Sequence, residues 1–238
     1  MVSIDFEALD GLPAEEADDI AAHAAARWPW YGVLPEPVKE LHHVRQARHR
    51  GPVYPRDGLE FAALNATAFE DVRVVLLGID PYPDERAAIG LAFSLPAGMP
   101  FGRRAAVRNL RKAVLHDFPI DSSPVPNLNG DLSAWAGQGV LLLNRALTYS
   151  PAEGTYGHAH IWETYTDRII RLLDERPDPP VFVLLGEPAK RISPLIRYGA
   201  MVERCHPSAP GLQREFVASG LYREIDSHVS GERIDWWQ

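Results

Sequence analysis

The chain has 238 residues, 46% apolar and 24% charged, enough material to bury a full core in one α/β domain spanning 1–238. No apolar run approaches the roughly 18 residues of a membrane span, and the opening segment lacks the basic flank and apolar stretch of a secretory signal, so a cytoplasmic protein without membrane contact is expected. The single cysteine, Cys205, excludes an internal disulfide and a cysteine-based zinc site. In chain order, an acidic extension over about 1–30 comes first, with a helical stretch over Ala14–Trp28. Seven of the 32 acids fall in the first nineteen residues, which carry no Lys or Arg, leaving 25 acids against 24 bases in the rest. The net charge of −8 therefore describes the extension more than the body, and a nucleic-acid partner stays open.

Four apolar, β-rich runs follow: Val72–Gly78, Gly139–Leu143, Pro180–Gly186 and Ala200–Cys205. Between and after them, apolar periodicity predicts helices near Arg103–His116, Trp162–Glu175, Pro188–Arg197 and Gln213–Ser219. Alternating strands and helices point to a parallel sheet, and wholly apolar strands such as VVLLG suit a sheet covered on both faces. Ligands of such sheets bind beyond the carboxyl ends of the strands.

Those ends carry polar chemistry. The first runs into Gly78-Ile79-Asp80-Pro81-Tyr82, the second ends on Asn144, the third on Gly186-Glu187-Pro188 and the fourth on Cys205-His206-Pro207-Ser208. Taken singly, each has a plainer reading: Asp80 can cap a turn, Asn144 a loop, Phe93 can be core, and His206 a hydrogen-bonded structural imidazole. Their conjunction at one sheet edge is what points to a site.

The residues Val53-Tyr54-Pro55, the stretch from Asp71 through Tyr82, Gly90-Leu91-Ala92-Phe93-Ser94, the stretch from Gly130 through Asn144, Leu147-Thr148, the run from Trp162 through Asp167, and His206-Pro207-Ser208 stand in order and at matching spacing. In these residues, spread over about two thirds of the chain, the sequence resembles the family 1 uracil-DNA glycosylases. The resemblance implies a three-layer α/β/α sandwich around a four-stranded parallel sheet. It also implies a monomeric, monofunctional glycosylase that uses no metal or other cofactor and leaves an abasic site in DNA. Asp80 would orient water beneath the sugar and oppose its cationic charge, while a neutral His206 would donate to the base O2 as negative charge gathers there. Phe93 would stack on an extruded pyrimidine, the Asn144 amide would read uracil, and Tyr82 would exclude the thymine methyl. A protein inhibitor is not legible in the sequence.

Departures from the family pattern concentrate where the DNA backbone and base edge are handled. Ile79 stands in place of Gln and Pro83 in place of His. The phosphate loop reads Met99-Pro100-Phe101-Gly102-Arg103-Arg104, so Arg103 and Arg104 are its candidate phosphate contacts, and Glu187 replaces a Ser. In the wedge loop Ser208 is kept, Pro210 occupies the usual Leu position, and Leu212 is a shifted candidate wedge. Arg104, Arg108 and Arg111 at helical spacing form either a basic DNA-facing stripe or an ordinary solvated face. Two other outcomes stay open: excision of a different modified pyrimidine, and a non-catalytic nucleic-acid- or protein-binding homologue.

Overall fold

The computed structural model describes residue 30 and residues 33–34, 37–120 and 129–238. The expected helix over Ala14–Trp28 and nearly all of the acidic extension lie outside the described residues.

Four strands, β1 (Val74–Gly78), β2 (Val140–Asn144), β3 (Val181–Leu185) and β4 (Met201–Arg204), form one parallel sheet in the order β2-β1-β3-β4. Every residue of β1, β2 and β3 is buried because alternate side chains enter two separate cores. Val75, Leu77, Leu141, Leu143, Phe182 and Leu184 pack under α1 (Val38–Arg50), α2 (Ala62–Ala66) and α5 (Ala159–Asp174). On the other face, Val74, Leu76, Val140, Leu142, Val183 and Val202 meet α3 (Ala105–Asp117), α4 (Ser133–Ala136), α7 (Gln213–Val217) and α8 (Leu221–His228). The result is the expected three-layer sandwich. Among the described residues no helix is long and apolar enough to cross a membrane.

The four expected strands are present; three are two residues shorter than their apolar runs, because pairing stops where the chain turns into a loop, and the second keeps its length but is shifted by one residue to Val140–Asn144. The expected helix over Pro188–Arg197 is a correction: only Glu187–Lys190 is α-helical (α6), followed by a 3₁₀ turn over Ser193–Leu195. Pro194 has no N–H to continue an α-helix, and the turn instead drops Ile192 and Ile196 into the core. Among the described residues four helices were absent from the sequence expectation, the short α2 and α4 and the longer α1 and α8. In α1, Val38, Leu41, Val44 and Ala47 make a buried stripe otherwise hidden among His, Arg and Lys; α8 starts after left-handed Gly220 and buries Leu221, Tyr222 and Ile225.

The stripe of Arg104, Arg108 and Arg111 does not exist as a surface. Arg111 is only 2% exposed. Its guanidinium donates to the carbonyls of Trp236, Trp237 and Gln238 and lies 5.5 Å from the Trp135 ring centroid. Three carbonyl dipoles and an aromatic face offset the desolvation of that cation.

Candidate active site

The sheet order puts β1 between β2 and β3, so the loop after β1 has strand ends on both sides. Register pairs Gly78 with Asn144, and the ladder continues past the strands: Arg145 N–H donates to Gly78 O at 3.0 Å and Ala146 N–H to Ile79 O at 2.9 Å. These bonds fix the turn that presents Asp80. Glycine is required at 78, since a Cβ there would overlap Asn144 Oδ1. At Gly186 the backbone is left-handed (φ 90°) and a Cβ would sit 2.9 Å from His206 Cβ, so the loop after β3 lets His206 approach the sheet edge.

One cavity of about 160 Å³ is lined by Asp80, Tyr82, Phe93, Asn144 and His206 together with Ile79 and Pro83. It is smaller than the pockets that hold drug-sized ligands and suits a single ring. A larger cavity, about 560 Å³, opens at the opposite edge of the sheet beside Val72, Arg73, Gly139 and Val181 and contains none of the predicted residues. Size alone is a poor guide here, because the side chains at the carboxyl ends of the strands converge only on the smaller one.

Phe93 adopts φ 64°, a left-handed conformation that costs a non-glycine residue about 1–3 kcal/mol. Its carbonyl accepts the Tyr82 hydroxyl at 2.8 Å, and its ring stands 6.1 Å from the His206 ring at 44°. The Tyr82 phenol is pushed well above its ordinary pKa by burial, with Arg104 acting in opposition, so it remains a neutral donor.

His206 is set up as a neutral imidazole. Burial lowers its pKa below the ordinary 6.5. The Ser208 backbone N–H donates to Nδ1 at 3.2 Å, with Ser208 Oγ 2.8 Å from the same atom. A backbone N–H can only donate, so Nδ1 is the acceptor and the proton resides on Nε2. Asp80 is partly buried, which raises its pKa, while the Tyr156 N–H donating to Oδ2 at 3.2 Å acts in the opposite sense. Nothing local in the sequence ties Tyr156 to Asp80, because the bond links loops following two different strands.

The backbone-handling candidates are scattered. Arg103 is exposed. Arg104 is ion-paired with Asp84, and its guanidinium lies 5.9 Å over the Tyr82 ring, so it braces the cavity rim. Glu187 pairs with Lys190 at 3.0 Å and neither Arg103 nor Arg104 reaches it. Ser208 is engaged with His206; Pro210 is exposed, and Leu212, at the start of α7, is 41% exposed.

Among solved structures, the crystal structure of mimivirus uracil-DNA glycosylase superposes with a TM-score of 0.69 at 22% identity, covering 94% of this chain and 87% of that one. That likeness establishes the fold. No family model matches the chain. Uracil-DNA glycosylase 2 of Streptomyces avermitilis is 39% identical over 218 residues, 87% of this chain and 93% of that protein. The uracil-DNA glycosylase of Streptococcus sanguinis is 36% identical over 219 residues, 87% of this chain and 97% of its own length. The chain belongs to the uracil-DNA glycosylase family. As a uracil-DNA glycosylase family member it holds two apolar residues, Ile79 and Pro83, against the cavity, and an acid, Glu187, at the third strand's end.

Proposed function

We propose that this chain hydrolyses the N-glycosidic bond of uracil in DNA and leaves an abasic site. The observation that carries the reading is the convergence of Asp80, Asn144, Tyr82, Phe93 and His206 on one cavity of single-ring size. A duplex base cannot enter such a cavity while stacked, so the nucleotide acts in an extruded form.

In the reaction, the oxygen of water bonds to C1′ as the C1′–N1 bond breaks, and the bond's electron pair leaves on the pyrimidine. The Asp80 carboxylate orients that water, stabilises the positive sugar and takes the water's proton. The neutral Nε2–H of His206 hydrogen-bonds O2 of the departing base, where the charge gathers. Phe93 stacks on the ring, the Asn144 amide accepts from N3–H and donates to O4, and Tyr82 fills the space beside C5. Leu212 is the apolar side chain available to fill the gap left in the duplex, with Pro210 beside it; Arg103 is the exposed cation for a phosphate. Ser208 contributes through His206 by holding its tautomer.

Asp80→Asn tests the assignment. It keeps size and removes the charge, so single-turnover uracil release should fall by about 10²–10³. Activity within twofold of the unmodified protein would overturn it. Because Ile79 and Pro83 make the rim apolar, a second reading is a different modified pyrimidine; mass spectrometry of bases released from uracil-containing and hypermodified DNA separates the two.

A further inference from the structure

Tyr156 is left unexplained by base reading and by catalysis. It lies on the segment joining β2 to α5, with a left-handed backbone (φ 65°) of the kind its neighbour Gly154 (φ 74°) adopts freely. That twist aims its N–H at Asp80 Oδ2, 3.2 Å away. Glycine would serve the turn better, so the turn does not explain the tyrosine. Nor does the core, since the residue is 46% exposed.

The segment that carries Tyr156 is fixed on its far side. Buried His158 places Nδ1 2.7 Å from Thr148 Oγ1, which also accepts the Trp162 indole N–H at 2.7 Å. Glu153 stands 3.4 Å from His158 Nε2 and 3.7 Å from Arg50. Arg191, beyond β3, is exposed, and among the described residues its side chain has no ion pair or hydrogen bond. Its charge is near enough to Tyr156 to stabilise the phenolate, against the opposing effects of burial and of Asp80.

An exposed aromatic ring with its phenolic hydroxyl thus belongs to the residue whose backbone holds the cavity's carboxylate, and the exposed guanidinium of Arg191 acts on that phenol. We propose that Tyr156 and Arg191 form a substrate-strand contact: the ring packs on the deoxyribose of the extruded nucleotide, the hydroxyl donates to a phosphodiester oxygen, and Arg191 neutralises that phosphate. The inference rests on the proposed DNA substrate and extends it. It also supplies a cation near the loop where Glu187 contributes an acid.

The test combines Tyr156→Gly, Tyr156→Phe and Arg191→Gln. Tyr156→Gly keeps the N–H and relieves the backbone, so it removes only the ring. In single-turnover excision from a uracil-containing oligonucleotide, its half-saturating enzyme concentration should rise about tenfold, with a smaller fall in the saturating rate. Tyr156→Phe should restore most of the binding. Arg191→Gln should reduce the slope of log affinity against log salt by about one. Fluorescence anisotropy with a duplex carrying a tetrahydrofuran abasic analogue repeats the binding measurements without catalysis. If the unmodified protein binds this duplex but releases no uracil, the activity assignment falls and anisotropy still decides the contact. Affinity within twofold of the unmodified protein for both Tyr156→Gly and Arg191→Gln, or a loss confined to the saturating rate, overturns the proposal.

Discussion

A Cβ on Gly78 would overlap the side-chain oxygen of Asn144, so the strand leading to the acid can lie against the strand bearing the amide only because position 78 has no side chain. The same Cβ would come within 3.0 Å of Ala92 Cβ, which leaves the new methyl no empty direction. Gly78→Ala should therefore turn the Asn144 amide out of position. Uracil release should fall about 100-fold, as for misplacements near 1 Å, with a stability loss of about 1–3 kcal/mol. Gly137→Ala is the control: its nearest neighbour would be 3.7 Å away, and both readouts should stay close to the unmodified protein. Equal loss in the two variants would sink the argument.

The state of His206 gives a pH prediction. Burial lowers its folded pKa below 6.5, so the neutral donor persists at pH 7 and is lost on acidification. Excision at saturation should be flat above pH 6.5 and decline as His206 protonates, with protonation of Asp80, its pKa raised by burial, deepening the loss. The stability sign follows the same direction: below 6.5 the unfolded chain binds a proton that the folded chain resists, so this contribution is full above 6.5 and disappears as pH falls. Imidazole ¹⁵N NMR should show the proton on Nε2 and a midpoint below 6.5. A proton on Nδ1, or a midpoint above 6.5, contradicts the hydrogen-bond assignment.

Selectivity is separable into shape and hydrogen bonding. Tyr82→Ala should admit the thymine methyl and produce measurable thymine release, whereas Tyr82→Phe, which loses only the hydroxyl bond to Phe93 O, should not. Asn144→Asp, protonated in the buried site, can donate to cytosine N3 and accept from its amino group, so it should release some cytosine. Chromatography of bases freed from matched oligonucleotides reads all three. Loss of uracil release without any new base in Tyr82→Ala and Asn144→Asp would show that the cavity is not read this way.

Glu187 is an exposed acid paired with Lys190, and exposed pairs contribute about 0–1 kcal/mol. Glu187→Ser should leave the melting temperature nearly unchanged while tightening DNA binding, most of all at low salt where screening is least. Anisotropy across a salt series is the measurement. Unchanged binding at every salt concentration would place the residue away from the phosphates.

The sheet and the side chains gathered at the cavity were legible for a common reason. Runs such as VVLLG and VLLL carry no polar side chain, so they had to be covered on both faces, and Asp80, Asn144 and His206 were the polar groups at or just beyond the strand ends. The long-range partners were not legible. Arg111 fits an exposed helical stripe by spacing, and only carbonyls at 236–238, far along the chain, make its burial tolerable. Glu187 likewise chose the nearby Lys190 over the arginines of the phosphate loop. Tyr156 reaches Asp80 through its backbone, and a main-chain N–H carries no residue-type signal.

The order β2-β1-β3-β4 also governs how this protein comes into being. Each parallel pairing joins stretches that a long crossover separates in the chain, so the sheet must close large loops before its contacts reward the closure, and assembly is slow relative to that of helical bundles. Asp80, Asn144 and His206 stand at or just past the ends of three different strands, two of them on either side of the central pair. No fragment or half-assembled intermediate contains the cavity, and a newly made chain gains its chemistry only when β4, the last strand to leave the ribosome, has docked.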